Sequence, residues 1–247
     1  MVLLNCCKYL LFLGLMVQFS NGNPRYQGNN YYSKSSNADN SKGFDIIIFT
    51  QSWPKTVCSQ WMKKSPAHHC NMPKTATWSI HGLWPSQYHK MGPESCDNSL
   101  SFDPRALHNI RKELLVKWMD VHGERPESFW EHEYTKHGTC AAVLTSMNSE
   151  EKYFQTALDL FDKYPMKNVL AQANITPGRN YPVQKILDGV KNVLGKNAQV
   201  TCDKHPETQD QTIMEIRICF DKKLNLTDCD GILAFPTNCD RKIDVTY

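Results

Sequence analysis

The chain has 247 residues, a formal net charge of +3, nine histidines and ten cysteines. That length suits one domain able to bury a sizeable core once any leader is removed. So mild a charge excludes a protein that coats nucleic acid through a global field; any such contact has to come from a local cleft.

Residues 1–22 read as a secretory signal. Lys8 is the only charge, Tyr9 to Val17 is a short apolar run, and Ser20 and Gly22 are small residues in cleavage-like positions. The run is too short to span a bilayer comfortably, and no other stretch is long and apolar enough, so the mature chain is expected to have no membrane span. The competing reading is a buried N-terminal helix. The last residues, Asp244 to Tyr247, are not an ER-retention signal. Cys6 and Cys7 leave with the leader. The other eight, Cys58, Cys70, Cys96, Cys140, Cys202, Cys219, Cys229 and Cys239, form an even set that reads as four disulfides, with 105 pairings open. They lack the paired CxxC spacing of zinc knuckles. Sequons stand at Asn174 and Asn225. Leader, cysteines and sequons agree on a glycosylated chain that is secreted or held in a lysosomal or endomembrane lumen.

From 23 to 42 the chain is Asn-, Ser- and Tyr-rich without apolar periodicity, and reads as a disordered mature N-terminus. The single domain then runs over 43–247. Phe44 to Gln51 is a β-branched and aromatic run suited to a buried central strand. Val57 to Met62 suits a short helix, and Lys63 to Lys74 a loop whose His68-His69 pair reads as solvent-exposed. Thr77 to Ile80 alternates as a strand, with a turn expected at Gly82. Asp103-Pro104 opens a helix whose apolar stripe is Leu107, Ile110, Leu114, Leu115 and Trp118. Gly123 breaks it, and Pro126 opens the next helix, which carries His132 to His137. Further helices are expected over 150–164, stopped by Pro165, and over 182–194. Gln211 to Phe220 alternates as a strand, and shorter strands are expected at 199–202 and 242–245. Strands at both ends with helices between indicate an α+β fold: a central antiparallel sheet packed beside several helices in one disulfide-rich domain.

Phe129 to Cys140 is the densest stretch of chemistry. On an α-helix His132 and Lys136 share one stripe, and Glu133 and His137 share the next, about 100° away. The bland alternative is a solvated face of ion pairs. A zinc peptidase is also suggested, because His132-Glu133 begins HExxH. The residue four after His132 is Lys136, however, and His137 comes one place late, about 140° from His132 on an ideal helix and poorly placed for joint ligation. A second histidine, His81, sits at a strand end beside Trp84, whose flat ring suits base stacking. Two imidazoles titrate near neutrality. Combined with Lys136, His132 and Glu133 around a phosphate, they suit metal-free RNA cleavage, in which one histidine deprotonates a ribose 2′-hydroxyl and the other protonates the departing 5′-oxygen.

The segments Trp78-Ser79-Ile80-His81-Gly82-Leu83-Trp84-Pro85 and Phe129-Trp130-Glu131-His132-Glu133-Tyr134-Thr135-Lys136-His137-Gly138-Thr139-Cys140 resemble the two active-site segments of the ribonuclease T2 family. These are secreted or lysosomal, mostly acid-optimum endoribonucleases. The resemblance extends from about Phe44 to Cys239. It implies an α+β fold and cleavage of single-stranded RNA with low base specificity. The expected route runs through a 2′,3′-cyclic phosphate to 3′-phosphate ends, with no metal or cofactor. It implies His81 as general acid, His137 as general base, and His132, Glu133 and Lys136 as phosphate and transition-state ligands. Trp84 matches a base-stacking position, and Gln51 and Phe129 match positions in a base-contacting site. The implied disulfides are Cys58–Cys70, Cys96–Cys140, Cys202–Cys239 and Cys219–Cys229. The chain departs from the pattern in three places. Ser86 stands where many relatives carry a base-reading Asp, Thr135 replaces a commoner acidic residue, and the segment after Cys229 is short. A monomer is expected, with no obligate protein partner. The alternative from another class is a non-catalytic RNA-binding or signalling protein on the same fold.

Overall fold

The computed structural model describes residues 43–123, 125–205 and 207–247. The expected leader and the polar arm at 23–42 lie outside the described residues. The apolar run after Phe44 forms β1 (Ile46–Ser52), buried at every position. Burial on both faces is why it reads as a continuous run and not as an alternation. Trp53 caps α1 (Pro54–Lys64), with Pro54 in the first turn where a missing N–H costs nothing.

β2 (Ser79–Ser86) pairs antiparallel with β1. The turn expected at Gly82 is not there: the strand runs straight through it. Gly82 marks a close approach instead, since a Cβ at this position would overlap Trp84 Nε1 and Glu133 Oε2. The helix expected from Pro104 is also two pieces. Asp103 caps a single 3₁₀ turn, Pro104–Leu107, and α2 (Arg111–Lys117) follows separately. Leu107, Ile110, Leu114 and Trp118 are buried as the stripe requires, but Leu115 is exposed.

α3 (Pro126–Glu133) continues into a π-helical turn, Tyr134–Gly138, and then α4 (Thr139–Ala141). α5 (Glu150–Lys163) starts at Ser149, whose side chain accepts from the Lys152 amide. Pro165 stops α5 and also caps α6 (Met166–Gln172), a helix that the pattern does not announce because one proline serves both ends. After β3 (Asn180–Tyr181), α7 (Val183–Leu194) ends on Gly195 at φ 70°. β4 (Gln199–Lys204), β5 (Gln211–Phe220), β6 (Leu226–Thr227) and β7 (Val245–Thr246) complete the chain. The last strand is shorter than the 242–245 expectation and displaced toward the C-terminus.

The sheet runs β2-β1-β5-β7-β3, with β4 and β6 also pairing with β5. Its pairings are antiparallel except for the two-residue β5–β7 contact. Phe49, Leu83, Ile216 and Phe220 of the sheet share one core with Leu114, Trp118, Phe154, Leu170 and Ile186 of the helices. This is the α+β architecture expected. Four disulfides join Cys58 to Cys70, Cys96 to Cys140, Cys202 to Cys239 and Cys219 to Cys229, the pairs that the resemblance implies. Of the four, Cys96–Cys140 bears most directly on the histidine segments. Its cysteines are 44 residues apart, and it ties the loop after β2 to α4, directly after the π turn, a constraint worth about 4 kcal/mol on the chain-entropy model.

Candidate active site

His81 owes its position to an irregularity in the sheet. Thr50 lies opposite Gly82 and Gln51 opposite Ile80, so His81 is an extra residue without a partner on β1. Such a β-bulge bends the strand and re-aims one side chain. Trp118 Nε1 donates to the His81 carbonyl at 3.1 Å and fixes the bulge from below. The imidazole lies edge-on to Trp84, with ring centroids 5.0 Å apart, and its Nδ1 is 2.5 Å from Glu215 Oε1.

The other wall is the π turn. Hydrogen bonds closed at five residues widen the helix, so side chains five apart move toward one face. The 140° separation of His132 and His137 holds only for an α-helix and does not apply here. His132, Glu133, Lys136 and His137 all line one cleft of about 350 Å³, together with His81, Trp84 and Arg217. α-Helical spacing therefore gives no geometric ground against zinc. Among the described residues no set of three or more His, Cys, Asp and Glu side chains is placed to hold a metal ion.

Charge divides the two catalytic candidates. Burial pushes the His137 imidazole down, and the neighbouring Lys136, His132 and His81 push it further, to about 3. Among the described residues its buried Nδ1 has no hydrogen-bond partner. Burial also opposes a charge on His81, but there the charge and hydrogen bond of Glu215, helped by Glu133, win against burial and Arg217, and the value is raised. Burial and the cations Lys136 and His81 lower His132. Glu133 is 2% exposed, and its Oε2 accepts from Trp84 Nε1 at 2.8 Å. Burial raises its carboxyl against the pull of His81, the Trp84 bond and Lys136. Lys136 Nζ lies 3.3 Å from Glu94 Oε1 at the cleft edge. The cleft thus offers an imidazole that burial and positive neighbours hold from its proton, another whose proton a carboxylate favours, and a lysine, around a space of nucleotide size.

Three expected binding residues fare differently. Trp84 lines the cleft, with the Arg217 guanidinium 5.2 Å from the centre of its ring. Phe129 lies on the far side of His81, in a second cavity of about 230 Å³. Gln51 is in neither. It is 1% exposed, donating from Nε2 to the Tyr164 carbonyl and accepting at Oε1 from the Met166 amide, so it stitches β1 to the α5–α6 junction. Side chains alternate along a strand, and the next residue, Ser52, faces the second cavity beside Phe129 and His81. Ser86 does line the main cleft, its hydroxyl donating to the Trp84 carbonyl at 3.2 Å. Thr135 is exposed and does not line it. Of the loop pair, His68 stacks on Trp61 at 3.5 Å. Asn174 and Asn225 are both exposed.

The residues that sequence reasoning missed are Glu215 and Arg217. Their signal was present: two charges at i and i+2 in a run that is otherwise apolar from Ile213 to Phe220. Glu215 is 4% exposed, and Arg217 donates to its Oε2 from Nη2 at 2.6 Å and from Nε at 3.0 Å.

Comparison with known proteins agrees with this geometry. The model of the ribonuclease T2 family matches residues 44–229. Ribonuclease Oy of Magallana gigas is 36% identical over 213 residues, covering 83% of this chain and 97% of that protein. Human ribonuclease T2 is 34% identical over 183 residues, covering 72% and 66%. Among solved structures, ribonuclease MC1 from bitter gourd seeds superposes with a TM-score of 0.71 at 29% identity, covering 83% of this chain and all of that one. The crystal structure of human RNase T2 gives 0.66 at 31%, covering 83% and 98%. An RNase MC1 variant has been crystallised in complex with 5′-UMP.

Proposed function

We propose a mechanism for this chain, which belongs to the ribonuclease T2 family of endoribonucleases: it cleaves single-stranded RNA by acid–base transesterification between two histidines. Neutral His137 takes the proton of a ribose 2′-hydroxyl. The oxygen attacks the adjacent phosphorus, and charged His81 protonates the 5′-oxygen as its bond to phosphorus breaks. Lys136 and His132 offset the charge of the phosphorane, and the Glu133 carboxyl, in the protonated form that its burial favours, donates a hydrogen bond to a phosphoryl oxygen. The 2′,3′-cyclic phosphate is then opened by water with the two roles exchanged, leaving a 3′-phosphate end. No metal or cofactor takes part.

The observation that carries this reading is the opposite displacement of the two imidazoles. Burial and the positive charges of Lys136, His132 and His81 all disfavour a proton on His137, which suits a base; His81 is braced on a carboxylate, which suits an acid. Base specificity is low in this reading, because the Ser86 hydroxyl already serves a backbone carbonyl. The four disulfides and the exposed sequon residues Asn174 and Asn225 fit a secreted or lysosomal monomer.

Homopolymer RNA and its 2′-O-methyl analogue, each assayed with and without EDTA, test the chemistry. Only the unmodified RNA is expected to be cut, equally well with the chelator. Cleavage of the methylated strand, or loss of activity in EDTA, would overturn the proposal.

The pH dependence tests the assignment. Activity needs His137 without its proton and His81 with one. The rate should fall on the acid side only near pH 3, where His137 charges, and on the alkaline side only above the ordinary histidine range, where His81 loses its proton. The plateau of kcat/KM then lies on the acid side of neutral. An acid limb at an ordinary histidine value would remove His137 from the role.

A further inference from the structure

Glu215 is out of place on general grounds. It lies mid-strand in β5, opposite Ser52 of β1 and Thr201 of β4, so it is paired on both edges within the sheet. Isolated in such a site, a carboxylate is costly, and even a well-paired one rarely stabilises more than an apolar residue of the same volume. Yet its surroundings are built to keep it charged. Oε2 receives the two Arg217 bonds; Arg217 Nη1 donates to Gln199 Oε1 at 3.1 Å; Gln199 Nε2 donates to the Leu233 carbonyl at 2.9 Å. Every member of this chain is satisfied, and it ends on His81 Nδ1. Burial works against the Glu215 charge, but His81 and Arg217 outweigh it and hold the carboxyl at about 2.

We propose that Glu215 is a positioning residue for the general acid, with Arg217 as its anchor: the carboxylate accepts Nδ1–H of His81, fixes that tautomer, and leaves Nε2 to carry the transferable proton into the cleft. The proposal rests on the reading of His81 as general acid. In the first step the proton passes from Nε2 to the leaving 5′-oxygen. Nδ1 keeps its hydrogen and Glu215 remains a carboxylate, so no proton moves along the network. His81 is then neutral with a lone pair at Nε2, the state needed to take a proton from water when the cyclic phosphate opens. The other charged or titratable groups facing His81 are Arg217 from β5, and Glu133, His132 and His137 from α3 and the π turn. Among the described residues only Glu215 is hydrogen-bonded to its ring nitrogen.

The test uses two substrates that differ in the leaving group alone, uridylyl-(3′→5′)-uridine and uridine 3′-(4-nitrophenyl phosphate). A nitrophenolate departs without protonation; a ribose alkoxide does not. With Glu215→Gln, kcat for the dinucleotide should fall about tenfold or more, part of what a general acid supplies, with KM nearly unchanged, while the nitrophenyl ester is spared. A merely structural loss would slow both. His81→Ala sets the reference. If it slows both substrates alike, the general-acid reading fails, and this proposal with it. If His81→Ala is selective but Glu215→Gln is silent, or slows both, the role of Glu215 alone is overturned. Should Glu215→Gln fail to fold, ¹⁵N spectra of the wild-type imidazoles decide: neutral His81 is expected as the Nδ1–H tautomer, and the Nε2–H tautomer would refute the proposal.

Discussion

Replacing His137 with alanine should cost about 10²–10⁴ in kcat/KM on RNA, the range of one positioned proton transfer, and leave the fold in place. The side chain's buried Nδ1 has no hydrogen-bond partner among the described residues, so no bond there is lost. The cleft keeps Lys136, His132 and the braced His81, so residual turnover from charge stabilisation should survive, as when one member of a catalytic set is removed. The pH profile gives the sharper signature. On the proposed mechanism the wild-type acid limb is expected near pH 3 and reports the protonation of His137. In His137→Ala that limb should vanish, while the alkaline limb, which reports His81, stays. A variant that kept near wild-type turnover, or kept the acid limb, would show that another group takes the 2′-hydroxyl proton. His81→Ala should show the converse: the alkaline limb goes and the acid one remains.

The regular parts of this fold are legible because each rests on one dominant signal. β1 reads from an apolar run, α5 and α7 from their periodic stripes, and β5 from alternation. Sequence and structure part where one residue has two uses. Pro165 is a stop for α5 and a start for α6, and only the first use is visible before the second helix is known. Gly82 suggests a turn because glycine usually marks one; here it makes room for a tryptophan and a carboxyl that meet over the strand. The site is legible as a set of residues but not as a geometry. The pattern through His137 suits an α-helix, whereas the π turn is what brings His132 and His137 into one cleft. Gln51 misses by one position, and a one-place error along a strand reverses the face. Glu215 reads simply as one side of an alternating strand. Nothing local to β5 says that β2, more than 100 residues earlier, places a histidine against it, and a contact of that separation becomes readable only from the register of the sheet.

Gly82→Ala should damage both stability and activity, although it adds only a single methyl. The new Cβ would overlap Trp84 Nε1 and Glu133 Oε2 and lie 2.6 Å from Trp84 Cε2. Neither neighbour can retreat cheaply. Trp84 is fixed by its own strand and lies against the guanidinium of Arg217; Glu133 is almost fully buried on α3. Overpacking of this kind costs about 1–3 kcal/mol. Parting the 2.8 Å Trp84–Glu133 bond inside the protein costs about 1–3 kcal/mol more. For a domain of this size the sum lowers the melting temperature by roughly 5–20 °C. Activity should fall further than unfolding explains, measured at a temperature where the variant remains folded. The same displacement moves Glu133 away from the phosphate and tilts the indole that His81 and His137 both rest beside. Gly43→Ala is the control, since a methyl there meets nothing within 4 Å. If Gly82→Ala melted and cleaved RNA like Gly43→Ala, the contact between β2 and α3 would not be tight.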